Sequence, residues 1–184
     1  MAEQRELLLE TRKFRVVRIV RPWPDGQVRH REIVEHPGAV TIVPLVDADH
    51  VCLIRNFRVT VGQSLLELPA GTLEPGEDPA TTAGRELAEE TGYRAAHLQK
   101  LCRFFVSPGV LNEIMHLFVA SQLTPGTAAL AEGEHIEPQV VPWSEAVRMA
   151  VDGTIQDAKT ILGLLYYDRI RNQDTCPGGG VAAP

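Results

Sequence analysis

Residues 71–93 read GTLEPGEDPATTAGRELAEETGY, and this stretch decides how the rest of the chain is understood. A helix is expected to start after Gly76, with Asp78 as N-cap, Pro79 at the first helical position and Gly92 as the stop. At 100° per residue, Ala80, Ala83, Gly84, Leu87 and Thr91 share one small or apolar side suited to packing on a sheet. Glu86 and Glu90 lie about 40° apart on one edge of the polar side, and Glu89 sits one turn from Glu86. Like charges at these spacings destabilise a helix, and only Arg85, four residues before Glu89, is placed to offset them. A solvated acidic face is one reading. The other is a hard-cation site, favoured by three acids with one cation and by the Gly-rich segment PAGTLEPGE ahead of the helix. No matching set of His and Cys suggests zinc, so Mg²⁺ is the expected ion, with Mn²⁺ able to substitute.

Working outward, VVRIV and QVRHREIV read as two strands joined by the turn PWPDG. This arm carries Arg or Lys at positions 12, 13, 15, 18, 21, 29 and 31, which makes it the least acidic part of the chain. HPGAVTIVPLV and HVCLIRNF read as more deeply buried strands around the turn DADH, and SLLELP as a short strand ending at Pro69. Beyond the acidic helix, LCRFFV and IMHLFVAS read as strands on either side of SPGVLNE. LTPGTAALAEGEHIEP is expected to be flexible, SEAVRMAVDG and TIQDAKTILGLLYYDRIRN to be helices, and QDTCPGGGVAAP to be a disordered tail. Strands with interspersed helices but no βαβ rhythm point to a mixed α/β or α+β sheet rather than a dinucleotide-binding fold.

The chain has 184 residues, enough for one domain with a real core and a small accessory element. Its net charge of -6 argues against a nucleic-acid partner but not against an anionic substrate, because a bound metal reverses the local field. Cys52, Cys102 and Cys176 are odd in number and form no CxxC, which fits free thiols in a reducing cytoplasm. The charged start MAEQRELLLE lacks a secretory apolar run, and no stretch approaches the ~18 apolar residues of a membrane span. A soluble cytoplasmic protein without membrane attachment is therefore expected.

Gly71, then Glu77, then Arg85-Glu86-Leu87-Ala88-Glu89-Glu90-Thr91-Gly92-Tyr93 resembles the Nudix box, G-x5-E-x7-R-E-U-x-E-E-x-G-U. All fixed positions match, with Tyr93 the one mild departure where an aliphatic residue is usual. The resemblance implies a Nudix-type α/β/α sandwich with a mixed sheet and an N-terminal β arm, an α/β (α+β) architecture. It implies that Glu86 and Glu90 are the main metal carboxylates, Glu89 a secondary one, and the backbone carbonyl of Ala70 a further ligand. Arg85 matches the residue that orients its neighbours, and Glu77 a supporting acid. The implied division is an arm over 1–38 that serves dimerisation and the substrate site, a hydrolase domain over 39–172, and a flexible tail over 173–184.

The flanks resemble ADP-ribose pyrophosphatases within that family. Pro108 of SPG lies sixteen residues beyond Gly92, and RNFRVTVGQSLLELPAG, HPGAV and DAKT recur in similar places. Glu134 resembles the loop glutamate that acts as catalytic base, with Glu132 and Glu137 as competing choices. Arg58 matches a phosphate or ribose contact, for which a guanidinium's paired donors are suited. Glu67 and Glu113 match substrate-side acids, the other reading being local salt-bridge partners. Trp23 is either an aromatic at a dimer contact or an adenine-stacking platform, and His116, inside an apolar pattern, reads as structural. The implied activity is Mg²⁺-dependent hydrolysis of ADP-ribose to AMP and ribose 5-phosphate by a homodimer. The alternatives are another nucleoside diphosphate sugar such as GDP-mannose, or a non-catalytic ADP-ribose-binding sensor.

Overall fold

In the computed structural model, residues 3–130 and 135–173 are described. The chain opens with an antiparallel sheet of β1 (Gln4–Glu10), β2 (Arg15–Pro22) and β3 (Val28–Glu35), in that spatial order. β1 is an addition to the two strands read from the sequence. Its residues are all exposed, so it carries no inside–outside alternation by which it would be recognised. The arm joins the body where the Val34 N–H donates to the Val110 carbonyl (2.8 Å) and the Asn112 N–H to the Val34 carbonyl (3.1 Å).

β4 (Ala39–Pro44) is buried along its whole length. It runs antiparallel to β7 (Ala70–Thr72) and parallel to β9 (Ile114–Thr124), which pairs in turn with β8 (Arg94–Phe105). Being covered on both faces, β4 sends alternate residues to two cores. Val40 and Ile42 meet Phe118, Ala120 and the α1 helix (Pro79–Thr91) through Ala83 and Leu87. Val43 faces the other way, with Leu117 and Val119. That second core also holds strands β5 (His50–Arg58) and β6 (Gln63–Glu67), which lie in a sheet with β10 (Ile136–Pro142), and the helices α2 (Trp143–Val151) and α3 (Ala158–Gln173). The layered α/β/α arrangement around a mixed sheet is as expected.

Four local expectations are corrected. The segment after Pro69, read as loop, begins with the strand β7, because it closes the free edge of β4. The stretch read as flexible from 123 to 138 ends in strand at Ile136, which pairs across β5. α3 starts at Ala158, not at Thr154, because the Asp157 carboxylate accepts the Thr160 N–H (3.0 Å) and sets the start there. In α1 the packed face is Thr82, Ala83, Leu87, Glu90 and Thr91, whereas Ala80 and Gly84 are exposed. Glu90 therefore faces inward, although its spacing from Glu86 is as read.

Candidate active site

α1 begins and ends as its sequence dictates. The Asp78 carboxylate accepts the Ala80 N–H (2.9 Å), and Gly92 takes a left-handed conformation (φ 77°) while its N–H caps the Ala88 carbonyl. A Cβ at Gly92 would lie 2.7 Å from the Gly126 carbonyl oxygen, so two constraints converge on glycine here.

Arg85 resolves the repulsion along this helix. Its Nε and Nη2 donate to the two Glu77 oxygens (3.2 and 3.1 Å), and its Nη1 to Glu86 (2.8 Å) and Glu89 (3.0 Å). One guanidinium thus ties the loop acid to two helix acids. The hydrogen bonds to Glu77 in particular hold Arg85 firmly protonated, and the same bonds hold the Glu77 carboxyl below the usual carboxylate range.

Glu86 and Glu90 both reach strand β7. The Ala70 N–H donates to Glu90 Oε2 (2.9 Å), and Glu90 is almost fully buried. A Cβ built on Gly71 would fall 1.9 Å from Glu86 Cδ and Oε1, so the Glu86 carboxylate occupies space that only a glycine leaves open. Two carboxylates are thereby gathered on two consecutive residues of one strand, and Glu89 stays more exposed on the rim.

The opposite wall is a cleft of about 410 Å³ whose lining includes Arg58, Glu67, Ala70, Gly71, Glu113 and Lys159. Glu67 is completely buried, yet it is ionised by design of its surroundings. Arg58 Nε and Nη2 donate to its two oxygens (2.7 and 2.6 Å), and Lys159 Nζ donates to Oε2. Burial pushes the Glu67 carboxyl up, but these hydrogen bonds and charges outweigh it and leave the pKa below the ordinary value. Arg58 is held charged by its bonds to Glu67, with further support from the fields of Glu90 and Asp157. Glu67 is thus a salt-bridge partner as well as a cleft residue. Glu113 lies 3.6 Å from His36 Nδ1, which accepts the Gly38 N–H (3.2 Å).

The residues singled out from the sequence are therefore brought together in part. Arg58, Glu67, Ala70 and Glu113 line one cleft, and Glu86 and Glu90 border it at β7. Glu132 and Glu134 lie outside the described residues. Glu137, the third candidate base, is exposed on β10 opposite Arg55. Trp23 is not in the cleft lining, and the guanidinium groups of Arg21 (4.9 Å from the ring centroid) and Arg29 (5.4 Å) pack against its ring. His116 is a strand residue whose buried Nδ1 has no hydrogen-bond partner among the described residues, and desolvation lowers its pKa. Lys159 was not anticipated as a site residue. Its segment DAKT had been noted, but nothing local reveals a partner 92 positions away in the chain.

The oxygen-only donor set fits a hard divalent cation. Among the described residues no three His, Cys, Asp or Glu side chains are already gathered so that they could hold a metal ion.

Comparison with known proteins bears on the same residues. The model of the NUDIX domain matches residues 35–163. An ADP-ribose pyrophosphatase of Bacillus subtilis (strain 168) is 39% identical over 145 residues, 78% of each chain. A GDP-mannose pyrophosphatase of Escherichia coli O1:K1 / APEC is 37% identical over 156 residues, 77% of this chain and 80% of that one. A crystal structure of an ADP compounds hydrolase superposes with a TM-score of 0.80 at 28% identity, covering 94% of this chain and 95% of the other.

Proposed function

The chain belongs to the NUDIX family, and from that premise we propose that it is a Mg²⁺-dependent pyrophosphatase that hydrolyses ADP-ribose to AMP and ribose 5-phosphate. The observation that carries this reading is the convergence of Glu86 and Glu90 on Ala70 and Gly71, beside a cleft holding the Arg58 guanidinium. Acids able to hold cations and a cation able to hold a phosphate face one space of about 410 Å³, within the range of small-molecule sites.

Glu86, Glu89, Glu90 and the Ala70 carbonyl would hold the metal, with Mn²⁺ able to substitute for Mg²⁺. When bound, the metal neutralises diphosphate charge and lowers the pKa of a coordinated water. Arg85 aims the Glu86 and Glu89 carboxylates through its Nη1 hydrogen bonds. Arg58 offers its remaining donors to a phosphate oxygen, Glu67 fixes that guanidinium, and Glu113 contacts the substrate's polar groups. Glu134 is the proposed base, taking the proton of the attacking water as the phosphorus–oxygen bond to the leaving phosphate breaks.

The enzyme is proposed to act as a cytoplasmic homodimer, with the arm of residues 1–38 completing the site of its partner, a hydrolase domain over 39–172 and a tail over 173–184. The arm sheet exposes Leu7, Leu8, Leu9 and Val28, apolar side chains that a second subunit would cover. The cytoplasmic placement rests on the free thiols Cys52 and Cys102.

GDP-mannose is the second reading, because a GDP-mannose pyrophosphatase is nearly as similar as the ADP-ribose enzyme. Turnover of ADP-ribose, GDP-mannose, ADP-glucose and NADH, followed by phosphate release with coupled phosphatase, decides between them. The expected result is a kcat/KM for ADP-ribose at least about tenfold above the others, a difference of roughly 1.4 kcal/mol in transition-state binding. A reversed order selects GDP-mannose. Binding of ADP-ribose without hydrolysis of any compound in Mg²⁺ would refute the enzymatic reading.

A further inference from the structure

We propose that Lys159 is a positioning residue, which fixes Glu67 from the start of α3 and through it sets the Arg58 guanidinium on the cleft wall. This rests on the reading of Arg58 as a phosphate contact. Glu67 has no exposed side-chain surface, so each of its oxygens depends on protein donors. Arg58 supplies one donor to Oε1 and one to Oε2, and Lys159 supplies a second to Oε2. Lys159 is only 12% exposed, and its ammonium also meets Asp157 at 3.0 Å.

Asp157 is anchored in turn. It accepts from the N–H and hydroxyl of Thr160 (3.0 and 2.5 Å), and the Thr160 hydroxyl oxygen accepts the Leu68 N–H (2.8 Å). Lys159 and Thr160 thus fasten the consecutive residues Glu67 and Leu68 to the first turn of α3. Arg58, by contrast, is 39% exposed at the end of β5, and among the described residues its guanidinium hydrogen bonds go to Glu67. Without the Lys159 ammonium, Glu67 Oε2 is under-neutralised in a buried place. Arg58 then turns further onto Glu67 and away from the cleft, because a buried carboxylate short of donors is costlier than a repositioned, partly solvated guanidinium.

The test is a double-variant cycle on the intact protein, using Lys159→Met, Arg58→Gln and both together. Lys159→Met is expected to raise KM for ADP-ribose about tenfold, the scale of one charge-assisted hydrogen bond, with kcat within about threefold of wild type. In the Arg58→Gln background the same change should move KM by less than about twofold, since residues acting through one contact are not additive. Full additivity would mean that Lys159 touches substrate by itself and would overturn the proposal. A second readout needs no substrate: the Arg58 Nε–H resonance in ¹⁵N-labelled protein should shift and exchange more slowly in Lys159→Met. An unchanged resonance also overturns the proposal. Lys159→Gln, which loses the charge but retains a donor, replaces Lys159→Met if that variant does not fold, with the same pattern at reduced size. A wild-type protein that hydrolyses no nucleotide sugar would defeat the functional reading, and the Arg58 resonance would still decide this one.

Discussion

Adding one methyl group at Gly71 separates catalysis from folding more cleanly than removing a charge does. Gly71 lies in strand β7 and is not among the positive-φ residues, so its backbone accepts alanine. The new Cβ would fall 1.9 Å from Glu86 Cδ and Oε1. Carbon contacts settle near about 3.5 Å, so the carboxylate must retreat by roughly 1.5 Å. Glu86 is a flexible side chain and can do so, at the loss of its hydrogen bond from Arg85 Nη1 (2.8 Å). That bond contributes about 1.5–3 kcal/mol at most, and the stiffer unfolded chain returns about 0.4–1 kcal/mol. The net destabilisation is about 1–2 kcal/mol, or a fall in Tm of about 2–8 °C for a chain of this size. Activity should suffer far more, because a misplacement of about 1 Å in a catalytic group costs on the order of 100-fold. The assay is Mg²⁺-dependent hydrolysis of ADP-ribose beside a thermal melt, with Gly84→Ala as control. Gly84 is exposed on α1 with open space around its Cβ position, so its replacement should leave turnover unchanged and raise stability by about 0.5–1 kcal/mol. Gly71→Ala with more than half of wild-type turnover and ordinary Mg²⁺ dependence would refute the argument that Glu86 must sit against β7.

Glu90→Gln should lose activity by orders of magnitude while remaining folded, since an amide oxygen can still accept the Ala70 N–H; near wild-type turnover would remove Glu90 from the metal site. Glu134→Gln should lower kcat more than it raises KM, as expected for a base acting in the transition state, whereas a silent Glu134→Gln with a crippled Glu132→Gln or Glu137→Gln would move the base within the loop. Glu67 has a folded pKa below its unfolded value, so its contribution is complete above the ordinary carboxylate range and lost as pH falls through the lower folded value. Melts of wild type and Glu67→Gln from about pH 6 down to about pH 3 should therefore converge on the acid side, and parallel curves would contradict the shift. Deleting residues 1–35 should give a monomer or an aggregate with little ADP-ribose hydrolysis although the whole box remains; a full-length protein that is monomeric and fully active by light scattering would exclude a shared site.

α1 could be placed from the sequence to the residue because its signals are local. Asp78, Pro79 and Gly92 each act on the backbone beside them, and the acid spacing follows from the helix pitch alone. The buried strands β4 and β5 were legible for a related reason, their uninterrupted apolar runs. β1 was not, since a fully exposed strand has no pattern to betray it. Nor was β7, whose three residues Ala70–Thr72 become strand only because β4 offers them an edge.

The sequence by itself determined the chemistry available, namely three helix acids with one arginine, a glycine at the mouth and a hard-cation donor set. It did so because those relations span at most a few turns of one helix and its leading loop. Tertiary structure alone decided how each acid is seated. Glu90 turns inward because the Ala70 N–H awaits it, Glu86 fits because Gly71 lacks a Cβ, and Glu89 is left on the rim with Arg85. It alone also set Glu67 between Arg58 and Lys159, nine residues away on one side and 92 on the other. A charge can be read from a sequence, but the donors that make its burial tolerable arrive by chain folding, and no spacing rule reaches across that distance.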